Sequence, residues 1–217
     1  VFIGMTCGGP TVADLKSYVY SYDGTAFNLE LEFSMNYART NQADDNNTNA
    51  TFNDINHSVI AWNDNPTLAN YVNHATDNNI PAAAARFAPM LTNIVFNNDD
   101  MILGYRSRLS DQIVNSEWTI GGELLHACGI QNGSGLTWQI ENNGTCGTES
   151  TINPPPVVDP WTGKSNALAT SRGPGGYEFY WGDNGFEGEM TQGALAILPG
   201  ANVVYTTQID GLGHRSQ

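Results

Sequence analysis

The chain has 217 residues, of which 40% are hydrophobic, and this is enough for a globular protein with a sizeable core. Its net charge of −14 reflects a shortage of bases, with 8 Lys and Arg against 22 Asp and Glu. Such a surface repels nucleic acid phosphates and anionic lipids, and no apolar run reaches the roughly 18 residues of a membrane-spanning helix.

The first predicted element is a β-hairpin within residues 17–37. Its second strand alternates apolar and polar side chains, which is typical of a strand with one buried face. Asp23-Gly24 is a favourable two-residue hairpin turn, because both residues tolerate positive φ. A two-residue turn puts every large apolar side chain on one face. The predicted cross-strand pairs are Tyr22 with Thr25, Tyr20 with Phe27, and Tyr18 with Leu29.

The central part of the chain predicts short helices after a polar connection over residues 41–65. Proline near the start of a segment and apolar residues at helical spacing support them. Pro89 should end or kink the second one. The predicted helices are Pro66–Ala75, Pro81–Leu91 and Arg108–Val114.

The rest of the chain predicts strands and turns. The predicted strands are Trp138–Ile140, Tyr177–Trp181, Ala194–Leu198 and Val203–Thr207, the last two joined by a turn over 199–202. Residues 153–163 are rich in proline and predict an extended surface crossing. We therefore expect a single domain over residues 1–217, with a subdomain boundary at 153–163. Its fold class should be mainly β or α+β, with antiparallel, sandwich-like sheets and a few short helices.

The chain has 3 cysteines, which allow one disulfide and leave one thiol. Cys128 and Cys146 flank a segment with turn residues at both ends, so we expect them to pair. Closing that loop would stabilise the protein by about 3 kcal/mol. Cys7 is then either paired with another molecule or buried, and burial is favoured because a free cysteine behaves as a small hydrophobe.

Asparagine dominates the polar composition, with 25 Asn against 2 Lys. Five of them open an Asn-x-Ser/Thr glycosylation pattern: Asn46, Asn49, Asn56, Asn132 and Asn143. Such patterns are surface sites in secreted proteins, although the asparagine content alone generates about four of them. The composition therefore predicts an extracellular protein, with these five residues as candidate glycan acceptors.

Residues 119–130, TIGGELLHACGI, resemble the zinc helix of the metzincin proteases. The positions that match the family's glutamate, second histidine and glycine are Glu123, His126 and Gly129. Gly122 and Asn132 stand where the first and third histidines belong. The resemblance implies a helix, but a single imidazole would not hold zinc, so the match is either a coincidence, which is favoured, or a degenerate and non-catalytic relative.

A second resemblance is to the C-terminal half of serine β-lactamase-like hydrolases. It is carried by a helix over 85–91, a strand over 135–140 and a closing hairpin over 194–207. The Ser-x-x-Lys pair of that family is absent, since Ala13 and Trp161 precede the two lysines by three residues. The resemblance implies that the catalytic half lies outside this chain.

Carboxylates and aromatic residues alternate over residues 177–189. They include Glu178, Asp183, Glu187 and Glu189. Such a set suits sugar binding, glycoside hydrolysis or a calcium loop, but two ordinary strands joined by a glycine-rich turn are the favoured interpretation.

The sequence therefore favours a secreted structural or adhesive subunit of an extracellular assembly, such as a filament, shell or surface layer. We assign it no catalytic residue, metal site or cofactor, and we expect self-association into a homo-oligomer together with contacts to glycans. Its apolar first residues, 1–3, could add a strand to a neighbour's open sheet edge. The alternative is a secreted hydrolase that uses Glu123 or Glu187.

Overall fold

The computed structural model describes most of the strands and leaves several connecting segments undescribed. The described residues are 1–37, 59, 61–62, 87–108, 122–133, 135–142, 144–146, 149–150, 174, 184–185, 188–189, 191–198 and 204–208. They form antiparallel sheets with one short 3-10 helix, Val12–Asp14, so the prediction of a mainly β, sandwich-like fold is confirmed.

The first sheet contains three antiparallel strands in chain order. They are β1 (Phe2–Cys7), β2 (Lys16–Tyr22) and β3 (Phe27–Ser34). The residues predicted to join a neighbour's sheet thus pair within their own chain, because Phe2 lies opposite Ser21 and Ile3 opposite Tyr20.

The second sheet contains four antiparallel strands, also in chain order. They are β4 (Pro89–Asn97), β5 (Asp100–Ser107), β6 (Glu123–Asn132) and β7 (Gly135–Ile140). It packs face to face on the first sheet, with β1 over β4 and β3 over β7. The core between the two sheets includes fully buried residues from both: Leu15, Val19, Met35, Met101, Leu103 and Leu125.

A third layer covers the other face of the second sheet. After two short ribbons, β8 (Thr145–Cys146) with β9 (Glu149–Ser150) and β10 (Asn184–Gly185) with β11 (Gly188–Glu189), the chain forms the hairpin β12 (Thr191–Ile197) and β13 (Val204–Gln208). Leu195 of this hairpin packs with Ile102 and Leu124 in a second apolar cluster. The second sheet is therefore buried on both faces.

The predicted register of the first hairpin is wrong, although both of its strands are present. The loop has four residues rather than two, so Tyr22 pairs with Phe27. A bulge then shifts the register, because Tyr20 pairs with Leu29 whereas the adjacent Val19 pairs with Leu31. The large apolar side chains are consequently divided between the two faces of the sheet instead of sharing one.

The side chain of Asp23 explains the longer loop. Its carboxylate accepts hydrogen bonds from the Thr25 hydroxyl at 2.7 Å and from the backbone N–H groups of Ala26 and Thr25 at 2.9 and 2.8 Å. In this order of importance, these bonds lower the pKa of Asp23 to about 2. The turn is thus held by an ionised aspartate that accepts hydrogen bonds from three donors.

We expect Asp23→Ala to lower stability in a pH-dependent way. The pKa of Asp23 is lower in the folded than in the unfolded chain, so its stabilisation is present above about pH 4 and is lost as the pH falls towards about 2. Urea unfolding midpoints of both proteins across this range would measure it. The two midpoints should differ at neutral pH and converge in acid, and a constant difference would contradict the assignment.

The other predicted elements have mixed outcomes. The helix predicted over Pro81–Leu91 is wrong in its described part, because Phe87 forms a bridge to Val59 and β4 begins at Pro89. A proline fits there because β4 is an edge strand. The strands predicted at Trp138–Ile140, Ala194–Leu198 and Val203–Thr207 are confirmed, although β7 and β12 begin three residues earlier than predicted; the other ends agree within one residue.

Several predictions fall outside the described residues and stay predictions. They are the helix Pro66–Ala75, the helix Arg108–Val114 beyond its first residue, the strand Tyr177–Trp181 and the proline-rich crossing over 153–163. The single-domain organisation and its boundary at 153–163 likewise stay predictions.

Candidate functional site

The segment that resembles a zinc helix is strand β6 instead. In a helix, residues three apart share a face, whereas in a strand they point to opposite faces. Glu123 is 1% exposed and pairs with Tyr105 on the side of the main core, while His126 lies on the side of the third layer. The implied helix is wrong, and Glu123 cannot act on a group held by His126.

Gly122 shows why a histidine is absent from the first zinc position. A Cβ atom at Gly122 would collide with the backbone oxygen of Tyr105 and would also press on that of Thr191. The Gly122 N–H donates to the Thr191 oxygen at 2.7 Å, which draws β12 against the second sheet. This position therefore serves the packing of the third layer.

His126 lies between a carboxylate and a sulfur atom. Its Nε2 is 2.9 Å from Oδ2 of Asp100 on the neighbouring strand, and its Nδ1 is 3.6 Å from Sγ of Cys128. Because an ionised carboxylate can only accept, Nε2 carries a proton that it donates to Asp100, and Nδ1 faces the sulfur. The geometry is therefore a carboxylate–imidazole–sulfur series.

The Asp100 carboxylate is fixed by two donors. Besides His126, the backbone N–H of Gly129 donates to its Oδ1 at 2.8 Å. Partial burial by itself would raise the pKa of Asp100, but the hydrogen bonds from His126 and Gly129 outweigh it and hold that pKa below its usual range. Asp100 is thus ionised at neutral pH and orients the imidazole.

The sulfur belongs to a disulfide. Cys128 and Cys146 are bonded, with their Cα atoms 5.9 Å apart, as the flanking turns predict. Cys146 is 3% exposed, and the side chain of Cys128 is also buried. A disulfide is typical of proteins in oxidising compartments, so it is compatible with an extracellular location.

A second carboxylate lies on the same side of the sheet. Glu141 follows β7 directly, is fully buried, and its backbone N–H donates to the His126 oxygen at 2.9 Å. Its Oε1 accepts from the Gly144 N–H at 2.5 Å. Glu141 therefore links the short turn that leads to Cys146 with the end of β7, beside His126 of β6.

One histidine nitrogen and two sulfurs lie within 4.8 Å of one another in this cluster. Thiolates, rather than disulfide sulfurs, are the ligands of soft metals. The bonded form therefore offers an oriented imidazole and an electrophilic sulfur, which is the chemistry of thiol–disulfide exchange.

The remaining sites predicted from sequence are dispersed. Asn132 is exposed at the end of β6, where its Nδ2 donates to the Thr137 hydroxyl at 3.2 Å. The other four acceptors lie outside the described residues: Asn46, Asn49, Asn56 and Asn143. Glycosylation stays a prediction.

The expected burial of Cys7 is wrong, because this free thiol is exposed at the end of the edge strand β1.

The carboxylates predicted near the aromatic residues of 177–189 are also not brought together in the described part of the chain. Glu178, Asp183 and Glu187 lie outside it, and Glu189 is described only as a residue of β11. The alternatives of a sugar site, a calcium loop and Glu187 as a hydrolytic residue therefore stay predictions.

The outer face of the first sheet is apolar and exposed. We define this outer face by the large side chains that point away from the core: Ile3, Met5, Tyr18, Tyr20, Tyr22, Phe27 and Leu29. The exposed fractions are 43% for Ile3, 48% for Met5, 63% for Phe27 and 50% for Leu29. Two aromatic pairs lie along it, Tyr18–Tyr20 at 6.2 Å and Tyr22–Phe27 at 4.8 Å between ring centroids.

Charge is balanced on this outer face. Lys16 and Glu32 lie on the same face and form an ion pair at 2.5 Å. The next carboxylate along β3, Glu30, accepts a hydrogen bond from Ser21 on the inner side of the sheet.

Within the described residues, no helix is both long and apolar enough to span a membrane.

Comparison with known proteins finds one relative. The chain is 26% identical to a segment of Colossin-A from Dictyostelium discoideum over 219 residues, which covers 96% of this chain and 2% of that protein. The matched segment is thus a small part of a very long chain. No protein-family model matches the chain, and no solved structure matches it.

Proposed function

We propose that this protein is a secreted, non-catalytic structural or adhesive subunit that associates with copies of itself through the outer face. The observation that carries the proposal is the exposure of four large apolar side chains together on one face of the first sheet: Ile3, Met5, Phe27 and Leu29. Contiguous exposed apolar surface on a soluble protein marks an interaction site.

A second copy is the occupant that the charge favours. The chain carries a net charge of −14, so most of its surface repels another copy. Among the described residues, the charged side chains on the strands of the outer face are the compensated pair of Lys16 and Glu32. Two copies can pack there without bringing uncompensated carboxylates together, and aromatic side chains are favoured in the core of such interfaces.

The extracellular setting and the assembly rest on further support. The disulfide, the lysine-poor composition and the exposed acceptor Asn132 agree with secretion. The similarity to a small segment of a very long protein fits a building block of a larger structure. A filament or other extended assembly and glycosylation belong to this proposal.

Molecular mass in solution tests the proposal. We expect light scattering or sedimentation to show concentration-dependent oligomers for the natural chain and a monomer for the double variant Phe27→Lys/Leu29→Lys, because two buried ammonium groups oppose the contact. Leu198 and Tyr205 are 61% and 58% exposed in the third layer. Leu198→Lys/Tyr205→Lys is therefore the matched control and should associate normally. A natural chain that stays monomeric at all concentrations would refute the proposal.

A further inference from the structure

The disulfide lies beside a hydrogen-bonded base that the proposed function does not use. Asp100 holds Nε2 of His126 at 2.9 Å, and Nδ1 of the same ring is 3.6 Å from the Cys128 sulfur. A disulfide that only cross-links loops needs no such partner. An oriented imidazole next to sulfur is the arrangement that stabilises thiolates and moves protons to and from them.

We propose that Cys128 is the exchanging sulfur of a thiol–disulfide exchange site, which takes an external thiol as its substrate and uses His126, positioned by Asp100, as proton donor and acceptor. This inference goes beyond the structural role proposed above. It assigns a chemical activity to a bond that would otherwise be a passive cross-link.

The two sulfurs have different roles because Cys128 is the one in contact with the imidazole. Its Sγ is 3.6 Å from Nδ1 of His126, and the side chains of both cysteines are buried. An external thiolate therefore attacks Cys128, beside His126, when the site opens locally. Cys146 is the leaving sulfur in the first step and the resolving thiol in the reverse direction.

The exchange balances in two steps. An external thiolate attacks Sγ of Cys128, the Cys128–Cys146 bond breaks, and its electron pair goes to the Cys146 sulfur, which takes a proton from the imidazolium of His126. A second external thiolate then attacks the external sulfur of the mixed disulfide, and Cys128 leaves as a thiolate beside His126. The protein disulfide is reduced by two electrons, and two external thiols become one disulfide.

The surrounding charges favour this role. The ionised Asp100 supplies the counter-charge for the imidazolium, and it is itself held by the Gly129 N–H at 2.8 Å. Glu141 is the other carboxylate on this side of the sheet, next to His126 across the β6–β7 pair. Asp99 bonds Gln131 through its side chain at 3.3 Å. The Asp99 side chain is thus engaged outside the His126–Asp100 pair.

The rate of reduction by dithiothreitol tests the proposal on the native, disulfide-bonded protein. Alkylation of released thiols and mass measurement give the rate from about pH 5 to about pH 9, normalised to the concentration of reductant thiolate. At about pH 6 we expect His126→Gln to be at least about tenfold slower than the natural chain, because glutamine cannot donate a proton to the leaving Cys146 sulfur.

Two further variants separate positioning from general effects of charge. Asp100→Asn should lie between the natural chain and His126→Gln, because the ring loses its counter-charge but keeps a hydrogen-bond acceptor. Asp99→Asn removes a charge from the adjacent residue, whose side chain contacts Gln131, and should react like the natural chain.

A purely structural role for His126 predicts the opposite sign. If the ring only packs against the disulfide, His126→Gln loosens the site and reduction becomes faster at every pH. Equal or faster reduction of this variant would therefore overturn the proposal. Circular dichroism before reduction shows whether each variant has folded.

The external thiol can come from a small molecule or from the exposed Cys7 of a second copy. Incubation without oxygen or reductant separates the two sources. Covalent dimers that link Cys7 to Cys128, form at a constant number of free thiols and are lost in Cys7→Ser would assign the second copy. Their absence, with rapid reduction by dithiothreitol, would assign a small thiol.

Discussion

Gly104→Ala is expected to destabilise the protein by about 3 kcal/mol or more. A Cβ atom on Gly104 would collide with the backbone oxygen of Gly193 and would also crowd Leu195. Gly193 has φ of 75°, a backbone conformation that favours glycine. The backbone at this position therefore cannot easily move away from a new Cβ atom on Gly104. The close approach of two glycines is what seats the third layer on the second sheet.

Urea unfolding of this variant measures the loss, and Gly133→Ala is its matched control. No atom lies within 4 Å of a Cβ built at Gly133, so that substitution should change stability by less than about 0.5 kcal/mol. If Gly104→Ala were as mild as the control, β12 would not be seated on β5 as described.

Removal of the disulfide in Cys128→Ser/Cys146→Ser should cost about 3 kcal/mol of unfolding free energy. The bond joins residues 18 apart and closes a loop that contains all of β7. Without it, the unfolded chain gains the freedom that the cross-link removes. The loss should appear as a lower urea midpoint in the absence of any reductant.

Cys7→Ser is the control for the disulfide variant. It makes the same cysteine-to-serine change, but at a free and exposed cysteine. Its midpoint should equal that of the natural chain. A loss below about 1 kcal/mol in the double variant would instead show that the unfolded chain already holds this loop in a compact state.

Local patterns were sufficient for the strands of the first hairpin, for β7, β12 and β13, and for the disulfide, but not for the register or for β4, β5 and β6. Alternation in residues 17–37 predicted both strands of the first hairpin. The loop length depends on three hydrogen bonds to the side chain of Asp23, and a bulge beside Val19 shifts the pairing further. Neither feature is visible in the spacing of apolar residues. That spacing indicates which face of a strand is buried but not which residues lie opposite on the neighbouring strand.

The zinc-helix resemblance failed because ELLHACGI fits two structures. A continuous apolar run is typical of a buried helix and equally of a strand that is buried on both faces. β6 is the second kind, since the third layer covers the face opposite the main core.

The His126 site could not be found from sequence, because its partner Asp100 is 26 residues away and is brought near only by the pairing of β5 with β6. His126-x-Cys128 was a local signal, since residues two apart share a face of a strand. It became informative only when β6 was known to be a strand.

The burial of the second sheet on both faces gives the molecule a gradient of local stability. From Met101 to Tyr105 every residue of β5 is buried, and β4 and β6 flank the strand. Solvent reaches its amide protons only when the surrounding layers separate, so their hydrogen exchange reports the opening of the whole fold. The amides of the edge strand β1 can exchange through fraying of that strand alone. The order in which deuterium enters the chain therefore runs from the outer layers to β5.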